Sequence, residues 1–283
     1  MNKTASAGDK LELTRQFWNA SPCDGQGDLV RRKNFRYIKD AFILPVLEMI
    51  AARHTDIVEV GCGQGIDGLT FCSLLTQGSS YRGFDYSDES LASAVEFAGL
   101  EDGLNVMPRF EKGNAEALHL EDNSVECIYS MGVLHHTPDT EQSIEEVFRI
   151  LKPGGRAYIF LYNKFSPKVF IVHALRAIQG VLDGLFGTDR IIYKFLYGRH
   201  FEDLLGTALL EGFGVPVLRS YNRNGIHGLF KNFKMLSLTR RGLNLPPFLV
   251  PSQQGTTKDA TLGLMWFAEI EKPNPFTNQP KTD

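Results

Sequence analysis

The sequence predicts an α/β fold built on a parallel sheet, and three observations carry that expectation. β-branched runs alternate with apolar segments of helical period from Asp56 to Asn163. The first run, Asp56-Ile57-Val58-Glu59-Val60, stops at the glycine turn Gly61-Cys62-Gly63-Gln64-Gly65. Further on, Lys152-Pro153-Gly154-Gly155 separates a helical pattern from another apolar run. Strands alternating with helices require right-handed crossovers in one sheet.

Taken in order, Leu11 to Asn19 and Asp28 to Arg53 read as helices joined by the loop from Ala20 to Gly27. After the strand from Asp56, Gly65 to Gln77 places Ile66, Leu69, Thr70, Leu74 and Leu75 at helical spacing. A second strand, Tyr81 to Phe84, ends at Asp85, and Ser87 with Ser90 offers an N-cap for a helix through Ala98. Val125 to Tyr129 reads as a strand and Glu141 to Leu151 as a helix with Ile144, Val147, Phe148 and Leu151 on one face. Lys152 to Gly155 ends that helix before the strand Arg156 to Tyr162. Ser166 to about Gly187 and Asp189 to about Leu210 are helical and rich in Phe, Tyr, Leu and Ile, as a cap over the sheet would be. Asn224 to Lys231 reads as a short helix, with Lys234 to Arg240 and Thr261 to Glu271 as the last strands. The segment Asn244 to Lys258 has no element of its own, and the chain from about Pro273 reads as an unstructured tail.

The chain has 283 residues and a formal net charge of −3, which excludes a disordered or collagen-like polymer. That near-neutral sum is uneven. Lys164 to Arg241 holds 12 Lys/Arg against 5 Asp/Glu, whereas residues 1–162 hold 15 against 24. Cys23, Cys62, Cys72 and Cys127 form no CxxC pair and no metal-ligand ladder, so no metal site is expected and a reducing, cytoplasmic setting fits. The N-terminus is polar, and no uninterrupted apolar run reaches the roughly 18 residues of a spanning helix.

Glycines at alternate positions after a strand let backbone approach a ligand closely, because no Cβ intervenes. Gly63-Gln64-Gly65-Ile66-Asp67-Gly68 also satisfies G-x-G-x-x-G, with Asp85 placed about 20 residues on as a ribose-binding acid belongs. A dinucleotide site and a different nucleoside site are both open on these residues alone.

Later blocks extend the series: Gly113-Asn114-Ala115-Glu116-Ala117-Leu118, then Tyr129-Ser130-Met131-Gly132-Val133-Leu134-His135-His136-Thr137-Pro138-Asp139, then Arg149-Ile150-Leu151-Lys152-Pro153-Gly154-Gly155. In order and spacing this resembles the class I S-adenosylmethionine-dependent methyltransferases, small-molecule branch, which includes the ubiquinone/menaquinone methyltransferases. The resemblance implies a Rossmann-like seven-stranded sheet with helices on both faces and a helical cap inserted after the fifth strand. It divides the chain into N-terminal helices (1–53), a cofactor-binding core (54–163), a substrate cap (164–215), completion of the sheet (216–272) and a tail (273–283).

The same resemblance implies S-adenosylmethionine as cofactor. Glu59, Gly61, Cys62, Gly63 and Gly65 would wrap its methionine portion. Asp85, followed by Tyr86, would take both ribose hydroxyls, since a carboxylate has two accepting oxygens. Asn114, where the family usually has Asp, would accept from the exocyclic amine, beside Ala115 and Glu116; Ser130 and Met131 would lie below the sulfonium. Methyl transfer asks mainly for alignment and exclusion of water, with a base where the nucleophile must lose a proton. His136, His135 and Tyr162 are the candidate catalytic residues, and shaping of the loop through Thr137 or Asp139 is the competing role for the histidines.

The basic, aromatic cap suits a small, lipophilic acceptor that is anionic or phenolic, and it also suits peripheral contact with a membrane. Nucleic acid is not expected as a partner: the cations are scattered, and the Asn/Asp-Pro-Pro-aromatic tetrapeptide of amino-methylating nucleic-acid enzymes is absent, Pro246-Pro247-Phe248 following Leu245. Trp18 and the pair Arg36-Tyr37 are candidates for a lid over the cofactor. A catalytically silent, cofactor-binding scaffold is the alternative to an enzyme.

Overall fold

The computed structural model describes residues 7–21, 27–188, 192, 204–242 and 259–275. Its centre is one seven-stranded sheet of order β3-β2-β1-β4-β5-β7-β6, with β1 Asp56–Val60, β2 Ser80–Asp85, β3 Arg109–Lys112, β4 Val125–Met131, β5 Leu151–Tyr162, β6 Lys234–Arg241 and β7 Met265–Glu271. β1 to β5 are mutually parallel, and β7 runs antiparallel between β5 and β6. The crossovers of the parallel part leave its ligand-binding edge at the carboxyl ends of β1, β2 and β4, where the strand order reverses.

Strand alternation sorts the core into two layers. Ile57, Cys127, Tyr129, Tyr158, Phe160 and Phe267 pack with Ile43, Leu47 and Ile50 of α3 (Ile43–Ala51) and Phe71 of α4 (Ile66–Leu74). Val58, Val60, Ile128, Ile159 and Leu161 face the other way, against Ile144, Val147 and Ile150 of α6 (Thr140–Ile150) and Ile226 of α9 (Arg223–Leu229). Helices therefore cover both faces. Each fully buried side chain of this size contributes about 1.5–3 kcal/mol over leaving it in water.

Most expected elements are present with shifted ends. α1 spans Ala7–Ala20, and α5 spans Asp88–Leu100 with Ser87 as N-cap, its side chain accepting from the Ser90 N–H. The single helix expected over 28–53 is two, α2 (Leu29–Lys39) and α3, separated at Asp40 to Phe42. Pro45 belongs to the first turn of α3, where its missing N–H costs nothing; inside a continuous helix it would remove a bond. The Lys152–Gly155 stretch is not a stop before the fifth strand but a bulge inside it: Leu151 pairs with Val125 and Arg156 with Cys127, and Gly154 takes φ +80°. β3, with no counterpart in the sequence reading, is a four-residue edge strand. The last strand starts at Met265, not Thr261.

After β5 the chain forms α7 (Pro167–Phe186) and α8 (Leu204–Phe213), which pack on one another. The helix expected from Asp189 lies largely outside the described residues, as do most of the tail and the segment from 243 to 258. By length and composition α7 could cross a membrane, although Lys168, His173, Arg176, Gln179 and Asp183 interrupt it.

Candidate functional site

The glycine turn holds its shape through backbone bonds: the Gly61 and Cys62 N–H groups donate to Phe84 O at 2.7 and 3.0 Å, and Gly65 N–H to Cys62 O at 2.9 Å. Gly61 has φ +82°, and the side chain of Val133 occupies the space a Cβ would need. At Gly65, φ +79°, a Cβ would stand 2.8 Å from Phe110 and 2.9 Å from Ala94. These two positions need glycine for packing and conformation before any ligand arrives. Beside the turn, Asp85 is oriented by two backbone donors, Gly63 N–H to Oδ2 and Ser87 N–H to Oδ1, both at 2.8 Å. Glu59, buried on β1, accepts from the Tyr81 hydroxyl. Its charge and that of Asp85 reinforce burial in pushing the Cys62 thiol well up, so Cys62 is a neutral wall rather than a nucleophile.

A cavity extends from this turn along the carboxyl ends of the strands and under α1, α2, α7 and α8. Glu59, Gly61, Cys62, Gly63, Asp85, Tyr86, Asn114, Ala115, Met131, His136 and Tyr162 all line it. Four of the cofactor and catalytic candidates named from sequence do not, and neither does Tyr37 of the candidate lid. Ser130 is 1% exposed and donates to Val60 O at 2.8 Å, because β4 turns it to the face opposite Met131. Glu116 accepts the N–H of Asp139, the N-cap of α6, at 2.6 Å, and burial raises its pKa. Gly65 opens α4 behind the turn. His135 is fully buried between His136 and Tyr162, with ring centroids 4.2 and 4.1 Å away, and neither of its ring nitrogens has a partner among the described residues. Burial, then His136, then Lys168 push its pKa well down, so the ring is neutral packing.

His136 is built differently. Its Nδ1 lies 2.8 Å from Val217 O, which can only accept, so Nδ1 carries the proton and Nε2 a lone pair. Burial lowers its pKa to about 4, against an upward pull from the Val217 carbonyl. The Trp18 ring packs edge-on at 5.5 Å and the Tyr162 ring at 5.6 Å. Arg219 fixes the loop from outside, donating to Thr137 O at 2.6 Å and to Pro138 O.

Two groups the sequence reading missed complete this end. Lys168 of α7 and Glu211 of α8 line the cavity and form an ion pair, Nζ to Oε1 at 2.9 Å. The Tyr162 hydroxyl donates to the same oxygen at 3.0 Å. Among the described residues no hydrogen bond reaches Oε2. On the cofactor side, Arg36 of α2 clasps Asp67 of α4 through Nε at 3.1 Å and Nη2 at 2.6 Å, while the hydroxyls of Tyr37 and Tyr129 donate to the same carboxylate. Trp18, Arg36 and Asp67 all line the cavity. The N-terminal helices thus form its roof.

The residues present fit S-adenosylmethionine: an acid with two oriented oxygens for a diol, a turn of positive-φ glycines for a close-lying chain, and an amide at Asn114. Sheet order, glycine turn and Asp85 together define the class I methyltransferase fold. Residues 58–159 match the family described as a methyltransferase domain, and this part of the chain is a class I S-adenosylmethionine-dependent methyltransferase domain. Among similar proteins, a ubiquinone biosynthesis O-methyltransferase from Cupriavidus pinatubonensis is 33% identical over 145 residues, 51% of this chain and 51% of the relative. A sterol 24-C-methyltransferase from Aspergillus fumigatus is 31% identical over 99 residues, 35% of this chain and 26% of the relative. The chain spans about half the length of the curated relatives it matches. In fold it is similar to an S-adenosylmethionine-dependent methyltransferase from Thermotoga maritima, with TM-score 0.58 and 15% identity over 93% of this chain and 99% of that one.

Proposed function

We propose that the chain transfers the methyl group of S-adenosylmethionine to a small, largely apolar acceptor carrying a hydroxyl or amine, bound between the sheet and the cap. The observation that carries this reading is the second end of the cavity. Beyond the glycine turn its walls include the apolar side chains of Trp18, Leu210, Val215, Leu264 and Met265, and the polar groups among them include His136, Tyr162, Lys168 and Glu211. Bound at the turn, the cofactor supplies an electrophilic methyl on sulfur.

The chain's own residues do the rest. Asp85 accepts the ribose hydroxyls, Asn114 Oδ1 the exocyclic amine, and Trp18 with the Arg36–Asp67 clasp keeps water out. Of the two acceptor types suggested by the cap's charge, the phenolic one is favoured. Lys168 is neutralised by Glu211, and the lining cations Lys39 and Arg36 are paired with Asp40 and Asp67, so a phosphate or carboxylate would meet carboxylates and no spare positive charge. A neutral hydroxyl or amine can donate to Glu211 Oε2 or to His136 Nε2, and that group then takes the proton as the nucleophile attacks.

The test is S-adenosylhomocysteine formation with a panel of phenols, aryl amines, aryl phosphates and carboxylates. Product is expected with the first two classes, and Glu211→Gln should lower turnover about a hundredfold while cofactor affinity holds. Cofactor binding without product across the panel would favour the non-catalytic scaffold instead.

A further inference from the structure

The outward face of α7 carries no formal charge. At 100° per residue, Phe170, Ala174, Ala177, Ile178, Val181 and Leu185 share one side of the helix, and Phe170, Ile178, Val181 and Leu185 are 72, 51, 61 and 74% exposed. The charged and amide side chains point the other way and are engaged there. Lys168 pairs with Glu211, Arg176 donates to the carbonyls of Glu211, Val215 and Pro216, and Gln179 bonds Asp183. These ties to α8 and the following segment hold the helix against the protein, so its length does not make it a span. A contiguous exposed apolar stripe of this kind is often a functional contact surface.

Area and charge select the partner. A 20-residue helix face about 30 Å long and 10 Å wide presents roughly 300 Å², well short of the ~800 Å² per partner that two proteins usually bury in a stable pair. A bilayer sets no such threshold, because each apolar side chain entering the interface contributes separately. Two exposed cations stand near the N-terminal end of the helix. Phe165 is 63% exposed beside the exposed Lys164, which has no ion-pair partner among the described residues. Lys164 N–H donates to Tyr221 O at 3.0 Å, which brings the exposed Arg223 to the same end. Asp183, the acid of α7, is on the inner side.

We propose that the outward face of α7 docks on an anionic bilayer, with the helix lying in the plane of the interface and Lys164 and Arg223 at the headgroups. This docking stands apart from the methyl-transfer reading, and either can fail alone. The test is sedimentation of the full chain with phosphatidylcholine vesicles, with and without phosphatidylglycerol. Binding is expected to the mixed vesicles, weaker to phosphatidylcholine alone, and to fall with salt. Val181→Glu with Leu185→Glu should lower partitioning by about tenfold or more, and Lys164→Glu should remove most of the phosphatidylglycerol dependence. Retained cofactor binding shows that these variants fold. Should the double variant not fold, Phe170→Trp in otherwise unchanged protein gives a second reading, its fluorescence quenched by brominated lipid beyond any quenching of the parent's Trp18 and Trp266. The proposal is overturned if the chain does not sediment with either vesicle, if the double variant binds as well as the parent, or if the tryptophan is not quenched. It is equally overturned if the chain is a dimer that the same substitutions dissociate, which would assign the face to a second copy.

Discussion

His136 links the candidate site to the stability of the whole domain. Its ring is buried, its Nδ1 proton is committed to Val217 O, and its pKa falls from 6.5 to about 4. Protonation is therefore harder in the folded protein than in the unfolded chain. The stability this contributes is complete above pH 6.5 and is lost as the pH falls toward 4 and the unfolded chain takes up the proton. At about 1.36 kcal/mol per unit, the displacement is worth about 3 kcal/mol, most of it gone by pH 4.5. A loss of that size is a large part of a domain's usual margin. His135, whose pKa burial and His136 also push down, acts in the same direction.

The two contributions separate by difference. His136→Gln keeps an N–H for Val217 O and removes the titration, so urea unfolding from pH 7.5 to 4.5 should show a shallower decline in the variant, by about 2–3 kcal/mol across the window. Parallel curves for parent and variant would refute the reasoning, as would an NMR titration placing the folded His136 pKa at 6 or above.

Asp85→Asn should weaken S-adenosylmethionine binding about a hundredfold by calorimetry, because one amide N–H then faces the Gly63 or Ser87 donor and a charge-assisted bond to the ribose is lost. Gly61→Ala should cost about 2–4 kcal/mol by denaturant unfolding, and adding Val133→Ala should restore the packing part but not the φ strain. Arg36→Met leaves the buried Asp67 carboxylate with tyrosine donors alone and should destabilise by about 3 kcal/mol in the same assay. Trp18→Ala should leave the fold intact and weaken S-adenosylhomocysteine about tenfold, measured by equilibrium dialysis; unchanged affinity would make the roof mere packing.

Much of this site could be read from sequence because it is local. Glu59, the glycines, Asp85 and Asn114 each close a strand or open a turn, and punctuation of that kind survives in one dimension. Ser130 illustrates what does not: the chain position was right, but a one-residue step along β4 turns it to the opposite face, and deciding between Ser130 and Met131 needs the strand's register. β3 escaped because Arg-Phe-Glu-Lys at a sheet edge has one apolar residue and no face to hide. The break between α2 and α3 has a signal in Pro45, which fits the first turn of a helix but not its interior. Lys168 and Glu211 carried no signal at all, since they come from different helices 43 residues apart and acquire meaning only when α7 meets α8.

The position of β7 bears on how the molecule is made. It is the last of the described strands in chain order, yet it lies between β5 and β6. During synthesis the first five strands can pair as they emerge, but the outer edge of β5, with Tyr158, Ile159 and Phe160 along it, stays open until residue 271 has left the ribosome. An open apolar strand edge recruits other strands. The nascent chain is thus exposed to aggregation in the interval between the emergence of β5 and that of β7. Its final register is secured by a lysine just beyond the strand, for Lys272 Nζ reaches Asn123 Oδ1 at 2.8 Å and Phe148 O at 2.6 Å, tying β7 to the end of α6.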